Sequence, residues 1–305
     1  MVKRIMKNRV RWFVFLGSLA VFVAGVELWH RHVRDRDSVY QCRILIDKDF
    51  SVDEVNPEER IKSEKISLYV RTKYGILPRR QSDPSKIFNA YSAVVDYEED
   101  CLKNGYLRLA IMVRDATEES IQNVIAQFRD VKISFIIPHY TANLGKIAEI
   151  IISSGHEFFI QLPTQSSIPS DKKETVSPFL ANASPDEVRD KLYYLMSSTK
   201  YAIGVANTCD SLITKSGKDM EIIAKELSQR GMAFLNIDDD SDVMEEISER
   251  INLQSLRAKV FQKSGQLKEK DSIVVDSGQL KDLLHAIPEG VRLVPISFVE
   301  KNASL

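Results

Sequence analysis

Glycine is scarce in this chain, 12 residues in 305, and none sits in the spacing of a Walker or dinucleotide phosphate loop. A nucleotide-cradling fold of those two types is therefore excluded. An excess of charge is also missing: 42 Lys and Arg against 43 Asp and Glu leave a net charge of -1, which gives no electrostatic footprint for nucleic acid. Histidine is limited to His30, His32, His139, His156 and His285, with no pair at i, i+4 spacing, so a zinc site would have to be assembled from distant parts of the chain. The cysteines are Cys42, Cys101 and Cys209, and they match no metal-ligand pattern. In an oxidising compartment Cys42 and Cys101 can pair; three isolated thiols are the equally open alternative. No internal repeat or long low-complexity tract is present.

What is present begins with an uncharged run, Trp12 to Val26, continued by Glu27, Leu28 and Trp29. A helix from Trp12 to Trp29 is close to the ~20 residues a bilayer core requires, with tryptophans at both ends as interfacial anchors. Lys3, Arg4, Lys7, Arg9 and Arg11 precede it, while Arg31, Arg34 and Arg36 are partly offset by Asp35 and Asp37. That asymmetry places residues 1–11 in the cytoplasm and the remainder on the exported side of an inner membrane, crossed once. A cleaved signal peptide is the other reading, with Phe22-Val23-Ala24 as a weak processing site; a retained anchor over residues 12–29 is favoured.

With 44% hydrophobic residues the chain can bury one large domain with appendages. Residues 30–104 are charge-dense and read as a stalk and accessory segment. Short extended pieces at Cys42–Ile46 and Ile66–Val70 and an irregular Pro78–Pro84 loop interrupt it. From Leu107 onward the pattern changes. Apolar runs recur at Leu107–Val113, Lys132–Ile137, Glu157–Leu162, Tyr201–Val205, Met232–Ile237, Ser272–Val275 and Val291–Ile296. Helical segments separate them. Thr117 and Ser184 stand as N-caps, Pro185 at a first helical position and Gly231 at a helix end. Near-continuous apolar strands alternating with helices predict an α/β fold over residues 105–300, a parallel sheet closed into a distorted β/α barrel. Its functional rim then lies where the strands end.

Several polar side chains fall on that expected rim. Asp115 follows the first barrel strand and is the best single candidate for a base or ligand; neighbouring Arg114 is placed to pair with it. His139 follows Pro138 at a strand end. The loop "GVANTCDS" brings Asn207, Thr208 and Ser211 to the same end. Asp238, Asp239 and Asp240, with Asp242 beyond, are read as a cation or acid/base site or, more often for such a run, as an acidic helix start. Cys209 has no histidine near it in sequence and reads as inert. His156 begins a strand, at the end opposite the rim, where a structural role fits better. His285 reads as a solvated residue on the last helix.

Taken in order, these landmarks resemble the divergent polysaccharide deacetylase family, from about Leu107 to Phe298. Pro138-His139-Tyr140 fits its Leu-Pro-Tyr turn. Gly155-His156-Glu157 and Leu162-Pro163 fit Gly-His-Glu and His-Leu-Pro-Met-Glu-Pro. Gly204, Val205, Asn207, Ser211 and Thr214 fit its Asn-Asn-His loop. Val260-Phe261 and Leu293 to Ser297 fit the remaining motifs. The resemblance implies a deacetylase-type barrel and metal-assisted removal of acetyl groups from sugars, which needs an acid and imidazoles on a divalent cation and a base to activate water. The sequence departs at those places. Arg114 replaces the first Asp of an Asp-Asp pair, Gln161 and Gln165 replace a histidine and a glutamate, and Thr208 replaces the histidine of Asn-Asn-His. Ala258-Lys259 stands for Arg-Asp. Threonine, glutamine and lysine are poor zinc ligands, and Arg114 and Lys263 add positive charge.

The expectation is a membrane-anchored, catalytically degenerate barrel with no metal or other cofactor, which binds a cell-envelope glycan or an envelope protein and no nucleic acid. Two alternatives stand beside it. One is an active carbohydrate deacetylase with a rebuilt metal site, zinc for example, using Asp115, His139 and Asp238 or Asp239. The other is an envelope scaffold acting through residues 38–100.

Overall fold

In a computed structural model of the chain, the residues described are 68–95, 105–164, 179, 183–208, 211–237 and 242–299. The expected membrane segment, the stalk before residue 68, all three cysteines, Gln165 and Asp238–Asp240 lie outside them. Among the described residues no helix is long and apolar enough to cross a membrane.

The chain enters with an antiparallel hairpin, β1 (Tyr69–Thr72) and β2 (Gly75–Pro78), and a short helix α1 (Lys86–Tyr91). Strands and helices then alternate: β3 (Tyr106–Met112), α2 (Glu118–Gln127), β4 (Ser134–Pro138), α3 (Leu144–Ser153), β5 (Glu157–Gln161), α4 (Pro185–Ser197), β6 (Gly204–Ala206), α5 (Gly217–Gln229), β7 (Ala233–Ile237), α6 (Val243–Ile251), β8 (Ser255–Val260), β9 (Ser272–Asp276), α7 (Leu280–Ala286) and β10 (Arg292–Pro295). The sheet from β3 to β10 is parallel throughout, and β3 pairs with β9, so β3 to β9 close into a barrel. The tenth strand is an addition at the bottom. It pairs with Tyr106–Leu109, the first half of β3, while β4 pairs with Ala110–Met112, the second half.

The helices form where expected and for the expected reasons. Thr117 caps α2 in a reciprocal box with Ser120, and Ser184 Oγ accepts from Glu187 N ahead of Pro185. Phe135, Phe158, Phe159 and Phe234 are fully buried, which places the main core within and immediately around the closed sheet.

Three expectations are corrected. One barrel strand, β8, is absent from the apolar runs read off the sequence. Its pattern is carried by Ala258, with Arg257 and Lys259 exposed between partly buried neighbours, so it lacks the continuous apolar signature of a doubly covered strand. The strand expected over Tyr201–Val205 begins only at Gly204, because Tyr201 has φ 75° and gives its N–H to Tyr69 Oη at 2.9 Å. The segment after residue 68 is no loose stalk. Leu77, Ile87, Phe88 and Tyr91 are buried in the barrel's own core, each contributing about 1.5–3 kcal/mol of burial. Four backbone contacts fix the segment: Gln81 N to Gln229 O at 2.7 Å, Phe88 N to Gly231 O at 2.7 Å, Arg230 Nη1 to Pro78 O at 2.5 Å, and Ala93 N to Glu157 Oε2 at 2.8 Å. Gly231 makes this docking feasible. It has φ 69°, and a Cβ there would lie 2.7 Å from Lys86 N. Because Gly231 precedes β7 and Glu157 opens β5, α1 closes the end of the barrel where strands begin. The opposite mouth is left for function.

Candidate functional site at the barrel mouth

At the mouth, the described exits of β3, β5, β6 and β9 contribute side chains whose direction is set by strand parity. Gln161, last on β5, reaches across β4 to Met112 on β3, with Nε2 3.9 Å from Sδ, so both point into the barrel. Thr208, two residues beyond Ala206, shares the parity of Gln161 through the β5–β6 register. Its hydroxyl bonds that of Thr164 across the neighbouring exit. Asp276, last on β9, is in register with Met112 and therefore also faces the mouth.

The expected partnership of Arg114 and Asp115 does not form. Arg114 Nε instead donates to Asp276 Oδ2 at 2.9 Å, and Asp276 Oδ1 accepts from Gly278 N at 3.0 Å. Asp115 is exposed and its carboxyl pairs with no described residue. Lys263 likewise has a carboxylate, Asp282, at 2.8 Å. The two rim cations expected to repel a metal are thus each offset by an acid, although both pairs are exposed and individually weak. Asp276 was missed as a site residue. Its signal was present, an acid closing an apolar strand in the same way as Asp115.

His139 is half-buried at the β4 exit. Its Nδ1 is buried without a partner among the described residues, and burial lowers its pKa below the ordinary 6.5, favouring a neutral ring. Tyr140 beside it is 57% exposed and stacks edge-on against it at 5.6 Å. Asn207 is fully buried and acts as an extra rung of the sheet. Its Oδ1 accepts from Ile237 N at 2.6 Å and its Nδ2 donates to Ile237 O at 3.3 Å, binding the end of β6 to that of β7. Ser211 is buried too, its carbonyl accepting from Thr214 Oγ1 at 2.9 Å. Both are thus turned into the fold, and Thr208 is the one facing the mouth. Asp238 and Asp239 fall outside the described residues.

A family model described as divergent polysaccharide deacetylase matches residues 111–287, more than half of the chain. The chain belongs to the divergent polysaccharide deacetylase family. An uncharacterized protein of Agrobacterium tumefaciens C58 superposes with a TM-score of 0.58 at 15% identity, over 73% of this chain and 98% of that one. This likeness shows the fold. Looser likenesses are a mutant of a CE4 family pseudoenzyme with restored enzymatic activity (TM-score 0.34, 11% identity, 79% of this chain and 97% of that one) and a family 4 carbohydrate esterase from Streptomyces lividans in complex with acetate (TM-score 0.32, 10% identity, 62% of this chain and 92% of that one). A comparison with curated proteins found no match.

In this member of the family the Gly-His-Glu motif is a latch at the closed end of the barrel. Glu157 is fully buried, and its carboxylate accepts from Ser134 Oγ at 2.6 Å, Ser297 N at 3.2 Å, Ala93 N at 2.8 Å and the Ser297 hydroxyl. Burial raises its pKa, and these four bonds work against the rise. His156 Nδ1 accepts from Ile133 N at 3.3 Å, and burial together with nearby Lys132 lowers its pKa to about 4. The motif therefore joins β4, β5, the segment after α1 and the end of β10. At the mouth, Arg114, Gln161 and Thr208 bring neither a carboxylate nor an imidazole to a divalent cation. Among the described residues no group of three or more His, Cys, Asp or Glu converges. His285 is exposed on α7, its Nδ1 2.6 Å from Lys281 O.

Proposed function

We propose that this member of the divergent polysaccharide deacetylase family is a membrane-anchored binding protein that holds a cell-envelope glycan at its barrel mouth without hydrolysing it. One observation carries the reading: the positions that face into the mouth hold Arg114, Gln161 and Thr208, engaged with Asp276, Met112 and Thr164, where metal chemistry would need open acidic and imidazole ligands. The same groups suit a sugar. Arg114 and Asp276 offer planar hydrogen-bonding edges, and exposed Tyr140 offers a flat face for the C–H side of a pyranose ring. Trp12–Trp29 supplies the anchor that keeps the mouth on the exported side.

The test is calorimetric titration of N-acetylated envelope oligosaccharides into the full-length chain, with acetate release followed in the same samples. Binding is expected, weakened about tenfold by Tyr140→Ala, a loss of ~1.4 kcal/mol, with no acetate released. Absence of binding would remove the proposal. A second reading, an active deacetylase with a rebuilt site, is favoured by the unpartnered buried Nδ1 of His139. Acetate release that is blocked by a chelator and abolished by His139→Ala would establish it instead.

A further inference from the structure

Away from the mouth, α4, α5 and the irregular segment that follows β2 line an open groove of about 580 Å³, within the ~300–1,000 Å³ usual for small-molecule sites. Its floor is unusual in charge. Three guanidiniums converge on one buried carboxylate, Glu226: Arg80 at 2.9 Å, Arg230 at 3.5 Å and Arg189 at 3.8 Å. One carboxylate neutralises one of these cations, so positive charge is left in excess beneath the groove. Arg189 also has Asp186 at 3.0 Å, which offsets a second cation and leaves one guanidinium charge in excess over the two acids. Lys218 and Lys225 line the wall from α5. Lys225 is paired with Glu221 at 2.7 Å, whose second oxygen meets Arg250 at 3.4 Å; Lys218 forms no ion pair with a described residue. Tyr193 and Ile222 supply the apolar lining. The Tyr193 ring continues into a cluster with Tyr74, 5.2 Å away, which in turn meets the 64%-exposed Tyr194 at 5.2 Å.

We infer that this groove is a second binding site, for a saccharide bearing an anionic group. An inorganic anion alone would use the cations and leave the volume and the wall formed by Tyr193 and Ile222 unused. A neutral sugar would use the wall and leave the excess charge uncompensated. A ring with one flat C–H face and a carboxylate or phosphate at its edge uses both. The Arg80 and Arg230 bonds also tie the residue 78–81 segment to α5, so those arginines are unsuitable as probes. Lys218 and Lys225 are exposed and can be changed without disturbing that tie.

The experiment titrates the full-length chain, in a Tyr140→Ala background that weakens mouth binding about tenfold, with oligoglucuronate, with oligoglucose phosphorylated at its 6-positions, with neutral oligoglucose and with inorganic phosphate. One of the two anionic saccharides is expected to bind, which identifies the anion. Lys218→Ala with Lys225→Ala should weaken that binding about tenfold with an unchanged melting temperature, and added salt should weaken it in the parent. Three results overturn the proposal: no binding of either anionic saccharide, equal binding of neutral oligoglucose, or inorganic phosphate binding as tightly as the better saccharide. Because Lys218 and Lys225 line the groove and not the mouth, the change in binding when they are replaced reports the groove alone, so failure here leaves the mouth reading untouched, and the reverse also holds.

Discussion

Replacing Glu157 by glutamine changes one oxygen to an N–H2 group and tests the latch that closes the barrel. Oε1 accepts from Ser134 Oγ and Ser297 N, and Oε2 accepts from Ala93 N and the Ser297 hydroxyl. A hydroxyl can rotate to accept; a backbone N–H cannot. Whichever way the amide is turned, its N–H2 group faces one buried backbone N–H, that of Ser297 or that of Ala93. An unsatisfied buried donor costs about 1–3 kcal/mol, and the remaining bonds fall from the charged range of about 1.5–3 kcal/mol to the neutral range of about 0.5–1.5. Removing a buried charge, whose cost is visible in the raised pKa, returns part of that. The expected net loss for Glu157→Gln is about 2–3 kcal/mol, or roughly 5–10 °C in melting temperature for a domain of this size. Ser297→Ala keeps both backbone bonds and should cost only about 1 kcal/mol. Urea denaturation of the full-length chain gives the ranking, and hydrogen exchange at the Ala93 and Ser297 amides locates it. Equal stability of Glu157→Gln and the parent, or unchanged exchange at both amides, would refute the latch.

Further outcomes follow from the same geometry. His156, whose pKa falls from 6.5 to about 4 on folding, binds fewer protons folded than unfolded between those values. Its contribution is therefore complete above pH 6.5 and is lost as pH falls toward 4, by up to about 3 kcal/mol. Glu157 has the opposite sign, so the pH-dependent difference between the parent and His156→Gln, read by thermal melts from pH 7 to 4, isolates the histidine; parallel curves would contradict it. Gly231→Ala should destabilise by more than about 2 kcal/mol, because the left-handed backbone alone costs ~1–2 and its Cβ meets the backbone of α1. Gly145→Ala, in α3 with nothing within 4 Å, should be neutral or stabilising, and equal effects of the two would count against the docking of α1. Arg114→Asp, Gln161→His and Thr208→His in one chain should create stoichiometric zinc binding that the parent lacks, measured by equilibrium dialysis; no gain would mean these positions do not converge.

Much of the fold was legible because its signals are local. The Thr117 and Ser184 caps, the Pro185 start and the apolar strands each follow from a few neighbouring residues. The β8 strand was hidden because exposed Arg257 and Lys259 erase its apolar run. The place of α1 was hidden because three buried side chains in a charge-rich stretch give no sign of where they dock. At the site, the family motifs located the mouth, and the substitutions at Arg114, Gln161 and Thr208 could be read directly. Their partners could not. Asp276 lies 162 residues from Arg114, and only barrel closure through β3 and β9 brings them together. Asn207 looked like a site residue because it is polar and follows a strand, and its role as a rung between β6 and β7 depends on the position of Ile237 in space.

The most direct test of the central claim is a calorimetric zinc titration of the full-length protein, stripped of metal beforehand. A mouth whose inward positions are Arg114, Gln161 and Thr208 predicts no stoichiometric tight site and no change on Asp115→Ala. One zinc bound tightly per chain, and lost on Asp115→Ala, would contradict it.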